Sequence, residues 1–329
     1  MDLNDEWDSF LKDTDYISLP LLSSTGPTPL SSTLYVSTNT IISFLNQPID
    51  LKTTFWKIPV LPYYEPKVGI IKKQMKFNST SEEEVKEIEA NVQSYDYGYS
   101  TILQHIDNAK GMIKYKDIRK VTIGISKKDI VSYRVKQKGA FYNCFVLIIR
   151  VHIGVFKEFH VKIFNTGKIE IPGVQNMEHI PVIIETLLHV LRPLYHTILY
   201  NKSCEETVLI NSNFNCGYFI NRASLYQLLI RKYNISAVYD PCSYPGIQCK
   251  IYYEEGVTTN PTPIAISFMI FRTGSILIVG KCSNTVICEI YKYLVHILFE
   301  EYPQIVDSNC VHSKKETPVR KIKKYILLK

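Results

Sequence analysis

The feature that most constrains the fold is a short sequence that occurs twice. Residues 163–173 read IFNTGKIEIPG and residues 270–280 read IFRTGSILIVG, so seven of eleven positions are identical. In each copy an alternating apolar run ends in Thr-Gly and a second alternating run follows, which is the pattern of a β-hairpin. Gly167 and Gly274 are expected to take the positive φ angle of each turn. The chain is therefore predicted to contain a duplication, with one hairpin in each half.

Similar elements surround both hairpins. The flanking segments are a strand-rich run before each hairpin (143–151 and 246–253), a helical run after it (176–194 and 283–299), and an earlier strand leading into a short helix (40–57 and 208–232). This order predicts an α+β fold with two pseudo-symmetric halves of antiparallel sheet, each with helices on one face. The uncovered face of each sheet is where a binding function is expected.

The charge is distributed unevenly along the chain. Residues 1–18 carry a net charge of −5 and residues 311–329 carry +6, whereas all 329 residues together carry +7. The part of the chain between these two ends is modestly basic, which suits a polyanionic partner but does not require one. The predicted organisation is an acidic arm and flexible linker at 1–32, a first repeat at 33–198 with an insertion at about 64–138, a second repeat at 199–308 and a basic tail at 309–329.

Composition argues against several classes of protein. Hydrophobic residues make up 46% of the chain and charged residues 21%, as in globular domains, and no apolar run is long enough for a membrane helix. Because the first residues are acidic, a secretory signal is not expected, and the eight scattered cysteines are interpreted as reduced thiols inside a cell. No metal-ligand spacing, phosphate-binding glycine loop or nucleophile motif occurs, so no enzyme activity, cofactor or metal is expected.

Taken together, these residues resemble the TATA-binding protein family, whose core is an imperfect duplication with this order of elements. The resemblance covers about residues 35–60 and 140–305, and it also includes a helix start at 49–53 (IDLKT) and the residues YDPCSYPG at 239–246. It implies a saddle with helices on the convex face and a concave sheet that docks in the minor groove of A·T-rich double-stranded promoter DNA and bends it. The composition and the insertion suggest a divergent member, such as one from a large DNA virus. The expected location is a site of transcription, either the nucleus or a cytoplasmic viral factory.

The family inserts aromatic side chains between base steps, one pair per half. By resemblance, Phe164 and Phe271 each occupy one wedge position, and Tyr244 occupies the second wedge of the C-terminal half. An aromatic ring can replace base stacking that is lost when DNA is kinked. For the second wedge of the N-terminal half, the candidates are Cys144, which the alignment places there, and the nearby Phe141 and Phe145.

Other family contacts are implied in the groove and at the phosphates. One asparagine per half donates to the acceptors that A·T and T·A pairs share; Asn211 matches in the C-terminal half, and Asn39 matches in the N-terminal half after a one-residue shift. Pro172 and Val279 replace groove-facing threonines, which predicts apolar contact with a relaxed sequence preference. The basic residues expected near phosphates are Arg150, Lys168 and Lys250, whereas Ser275 replaces a lysine of the family.

A loop of the C-terminal half implies protein partners, namely a transcription factor IIB-like protein and an RNA polymerase. Its candidate partner-binding residues are Asp240, Cys242 and Ser243, with Cys242 in place of an acidic residue. An alternative remains open at this point: a scaffold in a transcription complex that keeps the fold but has lost DNA binding. An acidic or covered sheet face would favour the scaffold, whereas an open apolar face rimmed by basic residues would favour DNA.

Overall fold

The computed structural model describes residues 28–131, 141–253 and 263–307. These residues form two compact units, an N-terminal unit of residues 40–206 and a C-terminal unit of residues 28–39 and 207–307. Residues 1–27, 132–140, 254–262 and 308–329 lie outside the described residues. They include most of the predicted acidic arm and linker, the end of the predicted insertion and the whole predicted basic tail.

The N-terminal unit alternates strands and helices. Its elements are β1 (Tyr35–Leu45, which begins in the C-terminal unit), α1 (Leu51–Lys57), β2 (Gly69–Ser79), α2 (Glu82–Gln93), β3 (Gly98–Asp107), β4 (Tyr115–Gly124), α3 (Lys127–Val131), β5 (Cys144–Ile153), β6 (Val155–Phe164), β7 (Lys168–Val174) and α4 (Ile180–Leu191). The strand order is β3-β4-β2-β5-β6-β7-β1. The pairs formed among β2 to β7 are antiparallel.

The C-terminal unit repeats the same plan in a shorter form. Its elements are β8 (Tyr200–Asn215, which begins in the N-terminal unit), α5 (Arg222–Arg231), β9 (Ser236–Val238), β10 (Ile247–Tyr253), β11 (Ile264–Ile270), β12 (Ser275–Gly280), α6 (Asn284–Glu300) and α7 (Tyr302–Ile305). The strand order is β8-β12-β11-β10-β9, and all four pairs are antiparallel. Both units thus contain strand, helix, antiparallel strands and long helix, which confirms the predicted α+β class.

The two hairpin turns have the same geometry. Gly167 has a φ angle of +80° and Gly274 one of +79°, which confirms the predicted left-handed turn residues. A Cβ atom at Gly167 would lie 2.4 Å from the carbonyl oxygen of Gln47, and one at Gly274 would lie 2.3 Å from that of Tyr218. Both the backbone angle and the close approach of a neighbouring carbonyl therefore require glycine.

Three helices begin at a residue whose side chain caps them. Asp50 accepts a hydrogen bond from the Thr53 amide at the start of α1, and Ser283 accepts one from the Val286 amide at the start of α6. Ser81 caps α2 in the same way through the Glu84 amide. The Glu84 carboxylate, however, accepts from the Thr80 amide, one residue upstream of the partner that a capping box predicts.

The described part of the insertion extends the sheet of the N-terminal unit. β2 pairs with β5 on one side and with β4 on the other, and β3 forms the outer edge. On one face, Ile88 and Val92 of α2 join the same hydrophobic core as the β5 residues Leu147 and Ile149. The insertion therefore shares the core of the first repeat and is not a separate module.

Each unit has its own hydrophobic core between one sheet face and its helices. In the N-terminal unit the core combines α4 with alternate residues of β5 and β6; in the C-terminal unit it combines α5 and α6 with alternate residues of β11 and β12. Below, the opposite sheet face of each unit is called its open face. Among the described helices, none is long and apolar enough to cross a membrane.

Candidate nucleic-acid interface

The open face of the C-terminal unit is set by strand alternation. Ile276 and Ile278 of β12 point into the core, so the residues between and beside them point to the open face. The register pairs three β8 asparagines with those β12 residues: Asn211 with Val279, Asn213 with Leu277 and Asn215 with Ser275. A ladder of amides thus runs beside a ladder of small and apolar side chains.

This face is nearly uncharged. Its further positions are Ser267 and Met269 on β11, and Gln248, Lys250 and Tyr252 on β10. The strands of this face include β10, β11, β12 and the part of β8 from Asn211 onward. At their described open-face positions no side chain is a carboxylate, and Lys250 is the one cation. Lys250 is exposed, with its Nζ atom 5.3 Å from the ring centre of Tyr252. Side chains of this kind can donate hydrogen bonds and make apolar contacts without repelling a polyanion.

The predicted wedge pair of the C-terminal unit is assembled in the structure. The rings of Tyr244 and Phe271 have centroids 6.0 Å apart, and the Tyr244 hydroxyl donates to the Sδ atom of Met269 at 3.6 Å. Phe271 is only 3% exposed, because Tyr244 and the close backbone of Gly246 cover it. Tyr244 is half-buried, so the tyrosine ring is the more accessible member of the pair.

The two predicted groove asparagines have different surroundings. The amide of Asn211 donates to the Thr38 hydroxyl at 3.1 Å, and its backbone carbonyl accepts from the Ser37 hydroxyl at 2.9 Å. Asn211 is thereby held in place beside Val279, which is half-buried. Asn39 is half-buried in β1.

The N-terminal unit places two predicted residues together at the ends of β6 and β7. Phe164 alternates with the core residue Ile163 and so lies on the open face, opposite Cys144 of β5. The Nζ atom of Lys168 is 5.5 Å from the centre of the Phe164 ring. Pro172 lies farther along β7 on the same face, two residues from Glu170 and half-buried.

Two other predicted residues lie away from solvent. Phe145 is fully buried in the core beneath α1, with its ring centre 6.4 Å from that of Phe55. Arg150 points to the open face but is buried, because its guanidinium group donates to the carbonyl oxygens of Lys67 at 2.9 Å, Tyr63 at 2.8 Å and Glu65. Neither side chain is available to a ligand in this conformation.

A short helix covers the same part of the N-terminal open face. Asp129 of α3 accepts two hydrogen bonds from Lys72 of β2, at 2.7 and 2.8 Å. Burial alone would raise the pKa of Asp129, but the hydrogen bonds from Lys72 and Ser126 outweigh it and hold that pKa below its usual value. Ile148 of β5 is buried on this side of the sheet although it does not belong to the core. The open face around β2 and β5 is therefore occupied by the protein itself.

The predicted partner-binding residues form a tight surface loop after β9. The Asp240 carboxylate accepts from the Cys242 amide at 3.0 Å, while the Ser243 hydroxyl donates to the Asp240 carbonyl at 3.3 Å. Hydrogen bonds from Ser243 and the Cys242 amide lower the pKa of the Asp240 carboxyl. Cys242 and Ser243 are exposed.

Sequence reasoning missed several residues of these faces. Asn213 and Asn215 follow Asn211 at a spacing of two in INSNFN, and this alternation was the signal that could have found them. On the N-terminal unit it missed Lys76 and Lys162, whose ammonium groups lie over the rings of Tyr142 and Phe141. No group of three or more His, Cys, Asp or Glu side chains that could hold a metal ion occurs within the described ranges.

The fold and these faces define the class of protein: two α+β repeats, each with a sheet face opposite its helices that bears candidate ligand-binding side chains. The chain is similar to a curated protein and to a solved structure. A TATA-box-binding protein-like protein of Acanthamoeba polyphaga mimivirus is 21% identical over 202 residues, which are 55% of this chain and 54% of the relative. The chain thus matches about half the length of that relative.

The solved structure of TBP from Methanococcus jannaschii superposes with a TM-score of 0.42 and 11% identity, covering 82% of this chain and 99% of that one. No family model matches the chain. The similarity to the mimivirus protein confirms the predicted resemblance to TATA-binding proteins, and at this identity the resemblance is a divergent one.

Proposed function

We propose that this protein is a TATA-binding-like transcription initiation factor that docks on the minor groove of A·T-rich promoter DNA and bends it. The observation that carries the proposal is the open face of the C-terminal unit, where Asn211 and Asn213 pair with Val279 and Leu277 and the described positions carry no carboxylate. The side chain of Asn215 is not counted, because it is hydrogen-bonded to Thr273, Ser275 and Gly217. Amide groups donate to the N3 and O2 acceptors of A·T pairs, and apolar side chains suit the groove floor. In this proposal Tyr244 and Phe164 serve as wedges, and Lys168 and Lys250 contact phosphates.

The buried residues narrow the predicted interface. Phe145 and Arg150 are not part of the proposed contact, because the core and the 63–67 loop hold them. The predicted wedge Phe271 is left out as well, because it is buried behind Tyr244. With few basic contacts, the salt dependence should be moderate: log K falls by about 0.9 for each phosphate contacted per tenfold rise in salt. The loop at Asp240, Cys242 and Ser243 is the proposed contact for a transcription factor IIB-like protein that recruits an RNA polymerase.

A gel shift with matched variants tests the proposal. The purified chain is titrated onto an A·T-rich duplex and a G·C-rich duplex at two salt concentrations, with end-to-end fluorescence transfer to report bending. Asn213→Glu adds a negative charge to the C-terminal open face, whereas Asn284→Glu makes the same change at the exposed start of α6. We expect A·T-selective, salt-sensitive binding that N213E abolishes and N284E preserves. Equal affinity of both variants would refute docking on this face.

The scaffold alternative has one specific observation in its favour. In the N-terminal unit, α3 and the 63–67 loop cover part of the open face, and Arg150 binds that loop. A folded protein that binds neither duplex at low salt, but that captures a transcription factor IIB-like protein in a manner lost on Asp240→Ala, would establish the scaffold role in place of DNA docking.

A further inference from the structure

Two exposed aromatic residues lie side by side just before β5 in the N-terminal unit. Phe141 is 65% exposed and Tyr142 is 51% exposed, and neither belongs to the hydrophobic core. Exposing two adjacent large rings forfeits the stabilisation that burying them would provide. Such a pair on a protein surface is typical of a binding site.

Each of these rings is contacted by a lysine from a strand that flanks β5. The Nζ atom of Lys76 on β2 lies 3.6 Å from the centre of the Tyr142 ring, and that of Lys162 on β6 lies 5.9 Å from the centre of the Phe141 ring. Both lysines point to the open face, because their neighbours Met75 and Ile163 point into the core. The two rings therefore lie over the open face at one end of the sheet.

A third aromatic–lysine pair lies at the same sheet end. Phe164 is opposite Cys144, the first residue of β5, and Lys168 lies over its ring. The backbone also ties this end together, because the Asn165 amide donates to the Asn143 carbonyl at 3.1 Å. We call Phe141, Tyr142, Phe164, Lys76, Lys162 and Lys168 the aromatic–lysine cluster.

We propose that the aromatic–lysine cluster binds unpaired nucleobases of a single nucleic-acid strand. Aromatic rings provide stacking surfaces that accept any base, and neighbouring ammonium groups pair with the phosphates between bases. A base inside a duplex already stacks on both faces, so exposed rings of this kind gain most from bases that opening or kinking has freed. The inference rests on the proposed role at DNA. It shares Phe164 and Lys168 with the proposed duplex interface, but it adds Phe141, Tyr142 and their lysines and assigns a different form of the nucleic acid.

Charge complementarity favours a nucleic-acid strand over an acidic peptide or an apolar one. The cluster joins three cations to three rings, whereas a purely apolar partner would not need the lysines and an acidic peptide would not need the rings. One carboxylate is adjacent, that of Glu170, and it accepts a hydrogen bond from Lys162 at 2.6 Å. Lys76 and Lys168 contact the rings, and their ammonium groups lie where the phosphates between stacked bases would bind.

The test uses the full chain, a short oligodeoxythymidylate carrying one 2-aminopurine and, in parallel, the A·T-rich duplex. Phe141→Ala/Tyr142→Ala removes both exposed rings, and Phe141→Tyr/Tyr142→Phe keeps two rings in place. Phe299→Ala removes an equally exposed ring from α6 as the control. Loss of stacking should weaken single-strand binding by about 5- to 150-fold per base and abolish the 2-aminopurine signal change. The ring-swap and F299A variants should bind like the wild type.

The outcomes separate this inference from the proposed function. Retained duplex binding with lost single-strand binding in F141A/Y142A supports the cluster as a single-strand site. Unchanged single-strand binding in that variant, or a wild type that binds duplex but no single strand, overturns the inference and leaves the duplex proposal intact. Parallel loss of both activities in the variant shows a duplex contact and also overturns it. A wild type that binds neither form refutes both proposals.

Discussion

Lys73 is a fully buried lysine, and its effect on stability should be measurable as a pH dependence. It lies on β2 and points into the core, where its Nζ atom donates to the carbonyl oxygens of Phe55 and Ile58, each at 2.7 Å. These carbonyls belong to the C-terminal end of α1, which lacks helical partners for them. The lysine Nζ atom of the insertion thus caps a helix of the first repeat.

Burial lowers the pKa of Lys73 from 10.5 to about 7. In the unfolded chain the lysine stays protonated up to its ordinary pKa, so between about pH 7 and 10.5 the unfolded state binds more protons than the native state. The free energy of unfolding should therefore rise with pH in this window. Titration of one such group gives a gain of about 2 kcal/mol between pH 7 and pH 9.

The assay is urea unfolding at a series of pH values, followed by circular dichroism, for the wild type and Lys73→Met. The variant removes the titrating group while it keeps most of the side-chain volume. Lys57→Met, which removes an exposed lysine from the last turn of α1, is the matched control. Between pH 7 and pH 9 the free energies of unfolding of the wild type and K57M should increase by about 2 kcal/mol relative to that of K73M. The comparison with K73M is needed because the buried thiols of Cys216 and Cys249, whose pKa values are raised, titrate in the opposite sense. If the unfolding free energies of all three proteins changed with pH in parallel, Lys73 would not be a buried and mostly neutral side chain above pH 7.

Three further outcomes follow from the packing. Gly274→Ala should destabilise the protein by at least about 1 kcal/mol in the same unfolding assay, because of the left-handed φ and the 2.3 Å approach to the Tyr218 carbonyl; unchanged stability would contradict the turn. Arg119→Met should cost about 3–5 kcal/mol, since it leaves the buried carboxylate of Asp117 without its guanidinium partner, and a midpoint like the wild type's would contradict that pairing. Burial raises the pKa of Cys249 to about 12, so a peptide map after thiol labelling at pH 8 should show this cysteine modified only in the unfolded protein.

Local sequence signals predicted the repeated elements well. The Thr-Gly turns fixed both hairpins, because a positive φ is a local property that glycine supplies. Asp50 and Ser283 marked helix starts, because capping hydrogen bonds span only three residues. These features depend on neighbours in the chain, and so a single sequence contains them.

The faces of β5 were harder to predict. The run CFVLIIRV is almost continuously apolar, so a period of two could not show which side chains face the helices. In the structure Phe145 faces the core, while Ile148 faces the opposite side and is buried there too. Arg150 makes its contacts with residues 83 to 87 positions away, a separation over which no local pattern applies. The insertion caused both effects, since its strands and loop pack against β5.

The same fold therefore presents different chemistry in its two halves. The C-terminal unit presents the amides of Asn211 and Asn213 beside Val279 and Leu277, which suits the uniform acceptor edges of a minor groove. In the N-terminal unit, Asp129 of α3 binds Lys72 on this face, and rings and lysines lie at one sheet end, which suits bases that are no longer stacked. Because A·T-rich DNA that is bent or opened offers both kinds of surface, divergence of the two faces is compatible with one ligand. The paired tests on N213E and F141A/Y142A measure this division directly, since each variant should lose one form of DNA and keep the other.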